Sequence, residues 1–365
     1  MVVCLYATII IINLFFAYFK KNIKWIQVVS IIGIAILMCG YRRPFYGDLN
    51  NYEYMFDGSM STTIGLSFIF KLCQIIGLDF WQTHYLLIIL SLLTALFVIN
   101  KFSLSPHLAI AQFTGYYIII SSDQIKNHAA LVFLLLSIVA IYEKKMGWAI
   151  VLIVIASSIH YSFIAYILIL FVVREDKKNL ANTIIIVTTI ITILEILGIG
   201  DVLLLLVSRL GGIVEKYLGA YGLYKLQNYT ENRTHYGYLL LFGFQIMDYY
   251  LVRIGTNWME ETGCCDDRII GVNKFILRIN LVGFMLFPLF VFNQQWYRLI
   301  RDILILNYCA IGNAYYYLRI NTSRRVLLFL LSILNVAVWL IGDLCIKTEP
   351  QSVLIPFFAN NEFLQ

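Results

Sequence analysis

Charge is scarce in this chain. Of its 365 residues, 13% are Asp, Glu, Lys or Arg, and 61% are hydrophobic. An ordinary soluble domain carries about 25% charged residues. So few charges cannot cover a water-facing surface. That excludes a soluble enzyme, a disulfide-rich secreted domain and a disordered scaffold, and leaves a polytopic membrane protein. Proline is scarce too, with five in all. Only Pro106 and Pro288 fall within predicted spans, too few for the matched broken helices of a repeat-built transporter. The seven cysteines, Cys4, Cys39, Cys73, Cys264, Cys265, Cys309 and Cys345, form no CxxC pair and have no His at zinc spacing. Most sit in apolar runs, where a thiol acts as a small hydrophobe. Walker, HExxH and GxSxG motifs are missing, as is any acidic pair with the spacing of a metal-binding glycosyltransferase. No metal and no cofactor are therefore expected. No run of Lys and Arg is long enough to engage nucleic acid.

What is present is a series of apolar runs near the length a bilayer demands, about 20 residues. The predicted spans are 2–19, 25–40, 83–100, 106–121, 128–142, 181–199, 237–255, 269–292, 300–320 and 326–345. The first lacks a basic leader and a small-x-small cleavage site, and reads as a retained helix. Residues 64–78 are short and interrupted by Lys71, so an interfacial or re-entrant helix is expected. Residues 147–173 form one long apolar stretch with Ser157, Ser158, His160 and Ser162 at its centre.

Lys and Arg in short loops set orientation. Lys20, Lys21 and Lys24, then Lys144 and Lys145, then Arg174, Lys177 and Lys178, then Arg319, Arg324 and Arg325 mark inner loops. All four can be inner only if 147–173 crosses and returns, with a turn near His160. One long tilted helix is the alternative, and it would put the last group outside. The expected architecture is all-α: a single membrane domain, 1–365, with about twelve crossings, a short-helix hairpin and both termini outside. A first outer loop spans 41–62 and a larger one spans 200–236, part of which could lie on the membrane surface. Residues 121–128 and 293–301 are the other outer polar segments.

Those outer segments hold cations against the positive-inside rule: Arg42 and Arg43, Lys126, Arg233, and Arg298 with Arg301. Arg298 and Arg301 are three apart and share a helix face. Arginine forks match phosphate oxygens, and lysine supplies a point charge. Convergent cations at the outer interface would suit a lipid-linked diphosphate. Each alone could instead snorkel or pair locally, as Arg298 with Asp302. His160, an ionisable group within an apolar stretch, is a proton-transfer candidate or a hydrogen-bonded anchor of the turn. His84 and His107 read as interfacial, and His128 as a residue that could line the site. Asp248 and Arg278 are candidates to pair across helices. Glu195 and Asp343, near outer helix ends, read as structural. Tyr41, Tyr46, Tyr52 and Trp296 could stack on sugars or form an interfacial belt.

The pattern Arg43, Gly47-Asp48, Tyr52, Phe56 resembles the first outer loop of the EpsG family, Wzy-type polymerases of bacterial O-antigens, capsules and exopolysaccharides. The family's Thr between Gly and Asp is missing here. Gln124-Ile125-Lys126-Asn127-His128, with Glu143-Lys144-Lys145 after an apolar helix, is similar to a family helix start and basic end, with Lys126 where Arg is usual. His160-Tyr161-Ser162 matches a His-x-Ser element, Arg298 and Arg301 a late Arg-bearing segment, and Ile355-Pro356-Phe357-Phe358 weakly an aromatic-Pro ending.

The resemblance implies a multi-pass protein of the bacterial inner (cytoplasmic) membrane, with the outer loops periplasmic. It implies a metal-independent glycosyltransferase that polymerises undecaprenyl-diphosphate-linked oligosaccharide repeat units, as in exopolysaccharide or lipopolysaccharide biosynthesis. The lipid-linked oligosaccharide is the expected partner, with a chain-length regulator membrane protein as a further one. On that reading Arg42, Arg43, Lys126, Arg298 and Arg301, with Arg233 as an addition, hold the diphosphate. Asp48 or His160 positions or deprotonates the acceptor, and Tyr46, Tyr52 and Trp296 contact sugar. The rivals are a lipid-linked oligosaccharide flippase, an O-antigen ligase and a polytopic acyltransferase.

Overall fold

A computed structural model describes residues 1–42, 48–174, 178–196, 237–263, 265–290, 294–318, 322–346 and 350–364. The described chain is helical, with no strand beyond one isolated bridge between Tyr41 and Asn361. In chain order the helices are α1 (Val2–Tyr18), α2 (Lys24–Gly40), α3 (Asp48–Phe56), α4 (Ile64–Ile75), α5 (Phe80–Phe102), α6 (Pro106–Ser121), α7 (Ile125–Tyr142) and α8 (Met146–Ile159). After a 3₁₀ segment, Tyr161–Leu168, come α9 (Ile169–Arg174), α10 (Lys178–Ile196), α11 (Gly237–Glu261) and α12 (Asp267–Phe290). A second 3₁₀ turn, Gln294–Tyr297, leads into α13 (Arg298–Tyr317), α14 (Ser323–Ile346) and α15 (Pro350–Ala359). The larger outer loop expected at 200–236 lies outside the described residues.

Among the described residues, four helices are long and apolar enough to cross a membrane: α5, α7, residues 267–288 of α12 and residues 323–344 of α14. Other apolar helices run 10–17 residues. The expected crossing at 300–320 is different in kind. Every residue of α13 from Leu299 to Tyr315 is buried within the bundle. A helix sheathed by other helices need not be apolar, so α13 carries Arg301, Asp302, Asn307 and Asn313. It is tied to α12 by amide pairs. Asn307 and Asn280 exchange hydrogen bonds of 2.6 and 3.0 Å, and Asn313 donates to Asn273 at 2.9 Å. Where apolar surface supplies no driving force between helices, such bonds and close packing hold them together.

Peripheral helices show the opposite pattern. In α4, Ile64, Phe68, Leu72 and Ile75 form an exposed stripe, while Leu66, Phe70 and Cys73 face the core. Twelve residues span about 18 Å, too short to cross. Gly65 lets α4 approach α8: a Cβ at this position would stand 2.7 Å from the Ser158 backbone.

The long apolar stretch 147–173 is two pieces. Helix α8 stops at Ile159, and His160 is extended, with φ −136° and ψ 104°. The Ile159 carbonyl accepts from Thr63 Oγ1. Farther on, the Tyr166 hydroxyl donates to the Leu299 carbonyl at 2.6 Å, and Arg278 in mid-α12 donates to the Val173 carbonyl. The second piece therefore runs back toward the end from which α8 starts.

The two ends of the bundle collect different loops. At one, Lys20 donates to the Leu318 carbonyl at 3.0 Å, and Arg325 to the Tyr18 carbonyl at 2.7 Å. Asn313 holds the α5–α6 connection there through the Phe102 carbonyl and the Leu104 N–H. At the other end stand the starts of α7 and α13 and the ends of α6 and α14.

Candidate functional site

At that second end the site has a buried floor. Arg301, fully buried, donates to Gln124 Oε1 at 2.5 Å and lies 3.9 Å from Asp343. Asp343 accepts from the Tyr116 hydroxyl at 2.8 Å and the Tyr297 hydroxyl at 2.5 Å. Asp302 accepts from Asn127 at 2.8 Å and from Tyr166 at 3.4 Å. The Arg301 guanidinium also lies 5.9 Å from the Tyr117 ring centre. Burial of three charges is tolerable only with opposite signs together and their remaining lone pairs satisfied. Tyrosine and asparagine side chains satisfy the carboxylates and Gln124 one Arg301 nitrogen, while Arg301 Nε and Nη1 have no hydrogen-bond partner among the described residues.

Above the floor lies a half-buried layer. Helix α3 begins at Asp48, an acid at a helix N-terminus where the macrodipole favours it. One turn on, Tyr52 meets α7 and α13. Its hydroxyl takes the Lys126 backbone N–H and lies in the fields of Asp48, Arg298 and Asp123. Burial pushes the Tyr52 hydroxyl well above its ordinary pKa, Asp48 and Asp123 push the same way, and Arg298 opposes them. Tyr52 is therefore a neutral phenol at physiological pH. Trp296, in the 3₁₀ turn before α13, packs on the core beside this layer.

Lys126 is the second residue of α7, and Arg298 is the first of α13. Neither Gln124 nor Tyr297, the residues that precede these helices, caps them with its side chain. Two helix N-termini, each a site of partial positive charge, thus carry cations as well, and the Lys126 N–H of α7 is taken by Tyr52. Arg298 Nε is buried with no hydrogen-bond partner among the described residues. No ion pair joins Arg298 to Asp302, although Asp302 feels its charge.

The remaining expected residues divide. Arg43, Tyr46 and Arg233 lie outside the described residues. Arg42 is engaged elsewhere: it pairs with Glu362 at 2.7 Å, donates to the Cys39 and Tyr41 carbonyls and to Tyr85, and stacks 3.8 Å from the Trp81 ring centre. His160 stands at the turn, bonded through Nδ1 to Ser162 Oγ at 2.7 Å. Phe163 packs on both His160 and Tyr166 and so links the turn to the floor.

Three expectations are corrected. His84 and His107 are not interfacial but buried, covered by neighbouring helices. His107 bridges Asn13 of α1 and the Ile23 N–H. Asp248 does not pair with Arg278: it accepts from Asn335 and Trp339 of α14, while Arg278 reaches the Val173 carbonyl. His128 is locked between Ser91 and the Ser121 carbonyl.

Gln124, Asn127, Tyr116, Tyr117, Tyr166, Tyr297 and Asp343 were not singled out as site residues from the sequence. For Asp343 the signal was present, an acid inside an apolar run. Its tyrosine partners are 46 and 227 residues away and left no local mark. Among the described residues, no three His, Cys, Asp or Glu side chains gather as metal ligands.

The EpsG family model matches residues 25–345, which take in every helix of the site. The chain belongs to the EpsG family. It is accordingly a membrane protein of polysaccharide biosynthesis, and the Gly47-Asp48, Lys126 and Arg298 segments all fall inside the EpsG match. The Glu362 partner of Arg42 falls beyond it. No curated protein and no solved structure matches the chain.

Proposed function

We propose that the chain polymerises oligosaccharide repeat units carried on undecaprenyl diphosphate, at the outer face of the bacterial inner membrane. The observation that carries this reading is the pair of helix N-termini, α7 and α13, armed with Lys126 and Arg298. In the transfer, the bond between the anomeric carbon and the diphosphate oxygen breaks. A new bond forms from that carbon to a hydroxyl oxygen at the non-reducing end of another unit. The hydroxyl proton leaves to a base, and undecaprenyl diphosphate departs with the bonding electrons.

Negative charge grows on the diphosphate as that bond breaks. Donors fixed in advance against growing charge are the strongest general device an enzyme has. Lys126, Arg298 and the first N–H groups of α13 serve that role, with Arg301 holding Gln124 beneath them. Asp48, one turn before Tyr52 on α3, is the acid that receives the acceptor proton. Tyr52 and Trp296 form the sugar-facing wall. His160 supports the turn beside Tyr166. No step in this scheme requires a metal ion.

Membrane orientation follows the same reading. Lys20, Lys101, Lys145, Arg324 and Arg325 belong to the cytoplasmic end, and about twelve crossings bring both termini outside. With Lys20 beside Leu318 and Arg325 beside Tyr18, one end of the bundle carries these basic loops, as a crossing and return at His160 requires.

The test is the surface of cells that lack the protein. Loss of a polymerase leaves single repeat units displayed, whereas loss of a flippase leaves none. Single units are the expected result, and an empty surface overturns the reading.

A further inference from the structure

An apolar groove of about 330 Å³ runs between α2 and α5 on the outside of the bundle. Ile32, Ala35 and Cys39 line one side, Ile89 and Leu93 the other, and Phe363 stands at one end. Ile32, Ile89 and Leu93 are about half exposed, so the groove opens sideways, where bilayer chains would lie. From Ile32 to Cys39 it is about 10 Å long, at about 1.5 Å per residue. A hydrocarbon chain fits that shape, and a sugar does not fit that lining.

The groove ends at a cation. Arg42 donates to the carbonyl of Cys39 and to the hydroxyl of Tyr85, both groove residues. Its guanidinium is held flat on Trp81 and already carries an anion, the half-exposed Glu362 carboxylate at 2.7 Å. That end is fixed with care. Glu362 N–H donates to the Gly40 carbonyl at 2.8 Å, and Arg42 N–H to the Asn360 carbonyl at 2.9 Å. At Gly40 a Cβ would strike Asn361 Oδ1 at 2.2 Å, so only glycine lets the tail seat. From Arg42 the line continues inward. His84 packs on Tyr85, which takes an Arg42 N–H, and deeper in the bundle His128 packs on Tyr117, over which Arg301 lies.

We propose that this groove holds the part of the polyprenyl chain next to the diphosphate, with Arg42 at the junction of hydrocarbon and phosphate. The proposal rests on the polymerase reading and names the carrier's seat. Apolar lining, sideways opening and, at one end, a cation whose present partner, the half-exposed Glu362 carboxylate, a phosphate would displace together match a chain that is hydrocarbon for most of its length and anionic at its head.

The test is photo-crosslinking in phospholipid vesicles with labelled polyprenyl diphosphate that bears no sugar. A benzophenone side chain is placed at Ile89 or Leu93, and at Leu90 and Val28 as exposed positions off the groove. Label is expected at Ile89 and Leu93 at least about ten times above Leu90 and Val28. Excess unlabelled polyprenyl diphosphate should compete it away, polyprenol should compete less well, and A35W or R42Q should lower it. Equal labelling at all four positions, or crosslinks to phospholipid alone, overturns the proposal. Polymer formation by the unsubstituted protein is measured in the same vesicles. Polymer without groove labelling defeats the groove alone, and groove labelling without polymer defeats the polymerase reading.

Discussion

The two ends of this helix bundle treat cations in opposite ways. At the Lys20 end, cations have fixed partners, helix C-terminal carbonyls among them, although Arg324 and Arg325 themselves stand in the first turn of α14. Arg325 donates to the carbonyls of Ala17 and Tyr18, which close α1, and Lys20 to that of Leu318, which closes α13. Carboxylates complete the set: Arg324 pairs with Glu261, and Glu143 with Lys101 and Lys145. At the Arg298 end, Lys126, Arg298 and Arg301 stand within the first turn or so of α7 and α13, where the helix dipole repels them. The first arrangement stabilises the fold. The second sets cations against helix dipoles: Arg301 is held by Asp343 and Gln124, while Arg298 Nε is buried with no hydrogen-bond partner among the described residues.

The comparison is broken most easily at Arg298. R298A should lower polymer formation by about 100- to 1,000-fold, the usual loss when one donor to a developing negative charge is removed. R298K should recover part of it, because it keeps charge without the fork. Polymer length on a gel and turnover in vesicles read both.

Next come the two buried arginines. R301Q removes the cation beside the buried carboxylate of Asp343 and should cost about 3–5 kcal/mol. R325Q gives up charged donors to carbonyls and should cost about 1.5–3 kcal/mol. Thermal unfolding in detergent reads both losses. Turnover per folded molecule should fall in R301Q and stay unchanged in R325Q. A fall in R325Q erases the distinction between the ends.

Y52F removes one hydroxyl from the site and should cost about 1 kcal/mol, or about fivefold in rate. The smallest effect is expected at Glu143. Lys101 and Lys145 hold its carboxyl down to about 2, against an ordinary value of 4.5. The acid is stabilised in its charged form, so its contribution is complete above about pH 4.5 and is lost as pH falls through about 2. E143Q should remove that acid-range dependence and leave polymer length at neutral pH unchanged.

Much of this contrast could be read from the chain. Lys126, Arg298 and Arg301 stood out because cations are rare here and these break the loop-charge pattern. The break at His160 was legible because small hydroxyl residues and a histidine interrupt an apolar run. What was hidden depends on distant partners. Arg42 read as a free outer cation because Glu362, 320 residues on, leaves no local sign. His84 and His107 read as interfacial because a helix start says nothing of the helices that cover it. Helix α13 read as one more span, while its asparagines had already marked it as interior.

One measurement bears most directly on the central claim. Purified protein in vesicles is given the lipid-linked repeat unit, and polyprenyl diphosphate released is counted against glycosidic bonds formed. One release per bond is expected, with both falling together at least about 100-fold in R298A and neither changing per molecule in R325Q. Unchanged release and polymer in R298A would contradict the account.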